Sequence, residues 1–431
     1  MNETVDHLLA GPPPGASEAE LVDWIARLEA VKCTAEAVQA EAAVRLEEAA
    51  RVRQAQAGVP ARKLGEGVAL QIALARRVSP AKGAQLLGLA RILLTEMPHT
   101  FRLMKAGLFS QWQATILARE TACLSLEDRR VIDDRLCAPG PNGEPAKAVS
   151  MGLRQLENAA KKLAITLDQA SVVTRAANAV KDRRVSLRPA PDTMTWLGAL
   201  LPVKDGVAVY AALDQAANAA RAAGDERTRG QVMADTLVDR ITGRTSAESK
   251  PRIEVKVVMT ADSLTGDADQ PAVVEGYGPV PAAWAREALA DAEVFVRRLF
   301  TDPAGQLVAM ESRSRKAPDG LAELISTRDG GICRTVGCDA PIRNIDHIQR
   351  HADGGATSAE NLQGLCERCN QAKEAVGWQA RPGPDGSITT ITPTGHTYVS
   401  PPPDTWQPDP PPLSPAELRL RNMLLAHTLA A

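Results

Sequence analysis

The segment RDGGICRTVGCDAPIRNIDHIQRHADGGATSAENLQGLCERCNQAK, residues Arg328–Lys373, decides how the C-terminal part of this chain folds. Within it, Cys333 and Cys338 form a C-x4-C pair, and Cys366 and Cys369 form a C-x2-C pair. Two such pairs supply the four thiolates that a tetrahedral structural zinc ion requires. The spacing therefore predicts a zinc site on these cysteines, rather than four thiols that pack as small apolar side chains.

Between the two cysteine pairs lies a pattern that a plain zinc ribbon does not need. The run Arg343–Ile345 is typical of a short strand, and Asp346 and His347 follow it directly. Asp353–Gly355 is a turn signal, and the second cysteine pair opens a helical pattern that continues to Lys373. A neutral imidazole, with a pKa near ~6.5, can take a proton from water at neutral pH. The Asp-His pair is therefore a candidate hydrolytic site.

The whole pattern, D-H-I-x4-D-G-G-x-T-S-x2-N-L-x3-C-x2-C-N-x2-K, resembles the HNH endonuclease motif. The resemblance implies a ββα finger that holds one catalytic divalent ion and is braced by a zinc knuckle. By position, Asp346 resembles the first metal ligand and His347 the general base. Asn361 resembles the middle Asn that fixes the loop beneath the base, and Asn370 stands where the family has a final metal-binding residue, often His. The implied substrate is DNA.

Asn370 is a departure from the usual histidine at this position. An amide oxygen is a harder ligand than imidazole, so this site is expected to bind Mg²⁺ or Mn²⁺ rather than Zn²⁺. Adjacent residues on a strand point to opposite faces of the sheet. Asp346 and His347 are therefore expected to need a twist or a bulge to serve one phosphate.

Basic side chains surround the predicted site and are candidates for binding the phosphate backbone of a nucleic acid. They are Arg328, Arg343, Arg350 and Lys373. His351 is a further possible metal ligand, although its position in the motif is variable. Residues 328–373 hold six basic and six acidic side chains, so binding through this segment alone is expected to be weak and sensitive to salt.

The rest of the chain is best explained as two or three domains without a membrane span, since 431 residues exceed one ordinary domain. No run of about 18 apolar residues exists, and the N-terminal residues lack the features of a secretory signal. Cys33, Cys123 and Cys137 lie in helical patterns and are predicted to be inert thiols. Zinc-type cysteine spacing indicates a reducing compartment, so the predicted location is the cytoplasm.

The N-terminal region has a helical pattern that opens at a capping box, Ser17–Glu20. Apolar residues recur at seven-residue spacing after it, which fits either a bundle helix inside one chain or a coiled-coil homodimer arm. Acidic residues dominate positions 1–50 and basic residues positions 51–105, which indicates either paired helices or a phosphate-facing surface. The run from Ala75 to Leu117 resembles a domain of unknown function, the thirteen-E-twelve repeat family, that often precedes HNH modules.

The predicted fold class is α+β, with a mainly α-helical N-terminal domain, a small α+β middle region and a C-terminal ββα-metal finger carrying a four-cysteine zinc knuckle. Two hairpins are predicted in the middle region, at Val185–Trp196 and Val294–Met310, with a strand at Ile253–Val257. The predicted boundaries are a flexible N-terminus at 1–16, a helical domain at 17–182, its α+β continuation at 183–316, a nuclease module at 317–380, and a Pro-rich tail with a short terminal helix at 381–431.

The leading hypothesis is a metal-dependent HNH endonuclease that hydrolyses DNA phosphodiester bonds. A second hypothesis is a zinc-stapled DNA-binding or assembly protein whose nuclease site is vestigial. A third is a structural zinc protein without nucleic-acid contact. Loss of metal-dependent cleavage in His347→Ala separates the first hypothesis from the second, because a binding protein would retain its affinity and never cut.

Overall fold

The computed structural model describes residues 10–243, 256–275, 277–290 and 316–402 of the chain. Contacts divide the chain into two units, each discontinuous in sequence. The first unit comprises Met1–Ala57 and Gln85–Glu254, and the second comprises Gly58–Ala84 and Val255–Ala431. The predicted strand at Ile253–Val257 is described only from residue 256 onward, and the predicted Val294–Met310 hairpin and terminal helix lie outside the described residues.

Helix α1 (Glu18–Gln56) begins at the predicted capping box. The Glu20 backbone N–H donates to the Ser17 hydroxyl, and the Ser17 backbone N–H donates to the Glu20 carboxylate over 2.8 Å. The bonds that the Ser17 backbone N–H and the Ser17 hydroxyl donate to the carboxylate lower the pKa of Glu20. From Cys33 onward the buried face of α1 is mostly alanine, which lets neighbouring helices approach closely, whereas its first turns expose Leu21, Val22, Ile25 and Leu28. The homodimer through this helix stays a prediction.

Seven further helices follow in the helical region. They are α2 (Val68–Arg76), α3 (Pro80–Thr95), α4 (Pro98–Lys105), α5 (Gln111–Glu120), α6 (Leu126–Cys137), α7 (Leu153–Leu167) and α8 (Gln169–Ala179). Helices α3 and α4 both begin at a proline, which suits this position because the first helical turn does not use the N–H that proline lacks. The buried Asp133 carboxylate accepts from the backbone N–H groups of His99 (2.7 Å) and Thr100 (2.8 Å), and so caps α4.

The first unit continues into the predicted hairpin, β1 (Arg184–Ala190) and β2 (Met194–Leu200), paired antiparallel with Leu187 opposite Leu197. Helices α9 (Val203–Ala222) and α10 (Arg229–Thr242) follow and pack on each other. In the second unit, β3 (Val257–Val258), β4 (Ala272–Val274) and β5 (Gly278–Val280) form a sheet near α11 (Ala261–Thr265) and α12 (Ala282–Ala290). None of the described helices is both long and apolar enough to cross a bilayer.

The C-terminal part of the second unit holds α13 (Asp319–Arg328), β6 (Asn344–His347), β7 (Leu362–Leu365) and α14 (Glu367–Lys373), followed by β8 (Gln379–Pro382), β9 (Ile388–Ile391) and β10 (Thr397–Ser400). Strands β8, β9 and β10 form an antiparallel sheet in the order β10-β9-β8. Leu70 and Leu74 of α2 pack in one cluster with Ala375 and Trp378, just beyond α14. No local pattern in the sequence predicts that α2 belongs to this unit.

Candidate active site

A ββα finger forms the frame of the site, as the sequence predicts. Strands β6 and β7 pair antiparallel, with Asn344 opposite Leu365 and His347 opposite Leu362. Helix α14 follows β7 directly and packs against β6. The Cys366 sulfur accepts from the Cys369 backbone N–H over 3.4 Å and caps the start of this helix. Helix α14 therefore carries the second cysteine pair at its start and lies against the strand that holds Asp346 and His347.

The four predicted zinc ligands meet in one place. Their sulfur atoms all lie within 4.8 Å of one another, and all four side chains are buried. The sulfurs of Cys338 and Cys366 are 3.8 Å apart. A tetrahedral zinc ion with Zn–S bonds of ~2.3 Å places its sulfurs ~3.8 Å apart, so these residues fit a structural zinc ion.

Local turns bring the first cysteine pair to this position. Gly337, with φ of +71°, lies directly before Cys338 in a backbone region that L residues rarely adopt. The Cys333 backbone N–H donates to Ala340 O over 2.9 Å and closes the knuckle. Hydrogen bonds from the Cys338 and Cys369 thiols lower the pKa of Cys333, and the same contacts raise the pKa of both donors. Such crowding of thiols is relieved when a dication accepts several thiolates.

Asp346 and His347 approach each other without the expected bulge. The β6–β7 register is continuous through both residues. The Asp346 side chain turns back along the strand instead, and its Oδ1 accepts from the His347 backbone N–H over 2.9 Å. The same oxygen lies 3.9 Å from His347 Nδ1. A side-chain turn at the end of the strand, rather than a bulge, therefore brings the Asp346 carboxylate beside the His347 ring.

His347 is buried, and a threonine holds the far side of its ring. His347 Nε2 lies 2.9 Å from the hydroxyl oxygen of Thr357, whose side chain is also buried. The exposed His351 meets the His347 ring edge-on, with the ring centroids 5.5 Å apart. Sequence reasoning assigned no role to Thr357, although it stands inside the recognised motif. The feature that could have predicted this contact is a hydroxyl side chain in the turn that leads the chain back toward His347.

Asn361 fixes the loop that follows His347. Its Oδ1 accepts from the Gln349 backbone N–H over 2.9 Å, and its Nδ2 donates to Gln349 O over 3.0 Å and Ala356 O over 2.8 Å. Gly355 is required beside it, because a Cβ at that position would overlap Gln349 O and lie 2.7 Å from Asn361 Nδ2. Both ends of the Asn361 amide are therefore used to order the backbone of the loop that follows His347.

Helix α14 carries two polar side chains that bear on the site, Asn370 and Lys373. The Oδ1 atom of Asn370 is buried and has no hydrogen-bond partner among the described residues. Lys373 lies one helical turn later, and its Nζ is 2.6 Å from Asp346 Oδ2 and 2.7 Å from His347 O. A buried carbonyl oxygen without a donor is costly in a metal-free protein and suits a cation ligand.

The predicted phosphate-binding side chains differ in what they contact. Arg328 is used inside the finger, where it pairs with Asp329 and donates to Ala359 O (2.6 Å) and Leu362 O (2.9 Å). Its structural role explains its position better than a phosphate contact does. Arg350 donates to Lys373 O over 2.8 Å at the end of α14. Arg343 is exposed at the start of β6.

Comparisons with known proteins agree with this arrangement. The family model described as Domain of unknown function (DUF222) matches residues 23–329, and the model described as HNH endonuclease matches residues 332–375. No solved structure matches the chain.

Two relatives come from Mycobacterium tuberculosis (strain ATCC 25618 / H37Rv). "Uncharacterized protein Rv3776" is 33% identical over 135 residues, which are 30% of this chain and 24% of that protein. "Uncharacterized protein Rv2100" is 36% identical over 85 residues, which are 19% of this chain and 15% of that protein. The chain therefore spans about a quarter or less of the length of these curated relatives. Because the first family model matches more than half of its residues, the chain belongs to the DUF222 family, and an HNH endonuclease domain follows that region.

Proposed function

We propose that this chain is a metal-dependent endonuclease that hydrolyses DNA phosphodiester bonds. One observation carries the proposal. Inside a zinc-knuckle ββα finger, the Nδ1 edge of His347 faces the Asp346 carboxylate at 3.9 Å while Nε2 is held by Thr357 at 2.9 Å. Water activation at a phosphate requires an imidazole that is held in one orientation and lies beside a ligand of the metal ion. Thr357 orients His347 on one edge, and Asp346 is the proposed metal ligand on the other.

His347 is the general base in this proposal. When Nε2 carries the proton and donates it to the Thr357 hydroxyl, Nδ1 presents the lone pair that accepts a proton from water. Asn361 shapes the loop that contains Thr357, so it positions the base without touching the reacting atoms. His351, exposed and edge-on to the base, is the further candidate ligand for the metal ion.

Asp346 and Asn370 would hold the catalytic divalent ion, with one carboxylate and one amide oxygen. Both are hard oxygen donors, which favours Mg²⁺ or Mn²⁺ over a softer ion. When bound, the ion supplies charge relief for the phosphate and the leaving oxygen. The structural zinc ion on the four cysteines would fix the start of α14, and therefore the position of Asn370.

DNA is the proposed substrate, and its contacts are expected from Arg343, Arg350 and the backbone around the site. Arg343 is exposed, and the Arg350 side chain is 37% exposed, which leaves it reachable by a phosphate. With balanced charge in the finger, affinity is expected to be modest and to fall steeply with salt.

Cleavage of supercoiled plasmid by the zinc-loaded full chain tests the proposal. Wild type is expected to nick the plasmid with Mg²⁺ or Mn²⁺ and not in EDTA. His347→Ala is expected not to nick it under any of these conditions. His396→Ala is the matched control, because His396 is exposed in the same unit and bonds only its own turn residues among the described contacts. Cleavage that survives His347→Ala would refute the assignment of the base.

The same experiment separates the alternatives. A vestigial site predicts that wild type and His347→Ala bind DNA equally, hold zinc and never cut under any metal. A structural zinc protein predicts no gel shift even at low salt.

A further inference from the structure

The Lys373 side chain points into the site rather than toward solvent. Its Nζ forms an ion pair with Asp346 Oδ2 at 2.6 Å and donates to His347 O over 2.7 Å, and only 13% of the side chain is exposed. A lysine that holds a DNA phosphate would present its ammonium group outward. Here the ammonium group lies against the carboxylate proposed to bind the catalytic ion.

Several contacts fix this position. The carbonyl oxygen of Lys373 accepts from Arg350 Nη2 over 2.8 Å, which anchors the end of α14. The His347 carbonyl oxygen gives the ammonium group a second partner beside the base. Glu374 adds a weaker ion pair at 3.5 Å, and its side chain is 55% exposed. Lys373 is therefore held by the frame of the finger and is not a surface side chain that happens to rest on Asp346.

From these contacts we infer that Lys373 occupies the cation position of Asp346 when no divalent ion is bound, and that the ion must displace its ammonium group. Lys373 thereby lowers the affinity of the site for its metal ion. The inference rests on the proposed function, in which Asp346 and Asn370 hold the ion.

Electrostatics gives the sign of the effect. A carboxylate that is 29% exposed and close to the base is more stable when a cation neutralises it. The ammonium group provides that charge in the metal-free protein. When a dication enters, it must break a 2.6 Å ion pair and then face a positive charge within a few ångströms. Removal of the ammonium group should therefore tighten metal binding, by about tenfold if one partly buried ion pair is lost.

Mn²⁺ binding to the zinc-loaded full chain tests this inference without relying on cleavage. Free Mn²⁺ is measured by electron paramagnetic resonance during titration of wild type, Lys373→Met and Lys373→Gln. The glutamine variant keeps a donor for His347 O and guards against a folding defect in the methionine variant. Lys63→Met is the matched control, because Lys63 is an exposed lysine of the same unit. Asp346→Asn is added in each background to identify the site.

The expected result is a Kd for Mn²⁺ about tenfold lower in both Lys373 variants, unchanged in Lys63→Met, and Mn²⁺ binding lost with Asp346→Asn. Asp346-dependent binding that is unchanged or weaker in both Lys373 variants, with zinc content intact, overturns the inference and leaves the proposed function standing. Absence of Asp346-dependent binding in every background overturns both. A lower DNA affinity of Lys373→Met in EDTA, with an unchanged Kd for Mn²⁺, would assign the lysine to phosphate and also overturn the inference.

Discussion

Thr357→Val should slow cleavage strongly while leaving the fold in place. Valine has nearly the shape of threonine, so the substitution removes the hydroxyl that lies 2.9 Å from His347 Nε2 and little else. Both side chains are buried, with 3% of Thr357 and 7% of His347 exposed, so water cannot replace the lost partner easily. An unpaired polar group in such a place costs ~1–3 kcal/mol. Loss of a partner that orients a functional histidine lowers activity about 10- to 100-fold.

The assay is the initial rate of plasmid nicking at saturating Mg²⁺, followed from pH 5.5 to about 8.5 across the range in which histidine titrates. Thr357→Val is expected to lower kcat and to leave DNA affinity and zinc content unchanged. Thr357→Ser keeps the hydroxyl and should recover most of the rate. A Thr357→Val rate within about twofold of wild type, beside an inactive His347→Ala, would refute the orienting role.

Two further predictions concern the cysteines. Cys366→Ser should reduce bound zinc from about one ion per chain to a small fraction and lower the thermal midpoint of the second unit, since a structural zinc ion contributes folding free energy directly. Elemental analysis measures the zinc content, and calorimetry measures the thermal midpoint. Cys123→Ser is the control. Full zinc retention in Cys366→Ser would contradict the zinc site. Burial raises the pKa of Cys137 from 9.0 to about 12, so its contribution to stability is present below pH 9 and is lost as the pH rises toward 12. Denaturant unfolding between about pH 9.5 and 11 should show wild type losing ~1.4 kcal/mol per pH unit more than Cys137→Ala, and equal slopes would contradict this.

The sequence was most informative where function depends on neighbours along the chain. The two cysteine pairs, the Asp346–His347 pair and the turn before Asn361 lie within one short segment, and each has a fixed spacing that its chemistry demands. The finger predicted from them is present, with β6, β7 and α14 in the expected order. The prolines at 80 and 98 also lie at helix starts, because the restriction that proline imposes is local.

Contacts between distant residues could not be predicted in the same way. Whether Lys373 faces a phosphate or Asp346 depends on the packing of α14 against β6, and a lysine side chain permits both. Arg328 was predicted to bind a phosphate, because its partners in the finger are two backbone carbonyls more than thirty residues away along the chain. Thr394 donates to Gln71 across 323 positions, which no local pattern encodes.

The packing of α2 against Trp378 has a consequence for how the HNH segment of this chain can be inherited. Leu70, Leu74 and Trp378 share one apolar cluster, although the DUF222 region includes the first two and the HNH match ends at residue 375. Recombination that carried only residues 332–375 into another gene would leave Leu70, Leu74 and Trp378 behind and would expose Ala375, which packs against them. The HNH segment of this chain therefore does not hold all the residues that its own packing uses. Leu70 and Leu74 have to be inherited together with Trp378, and so has the sequence between them.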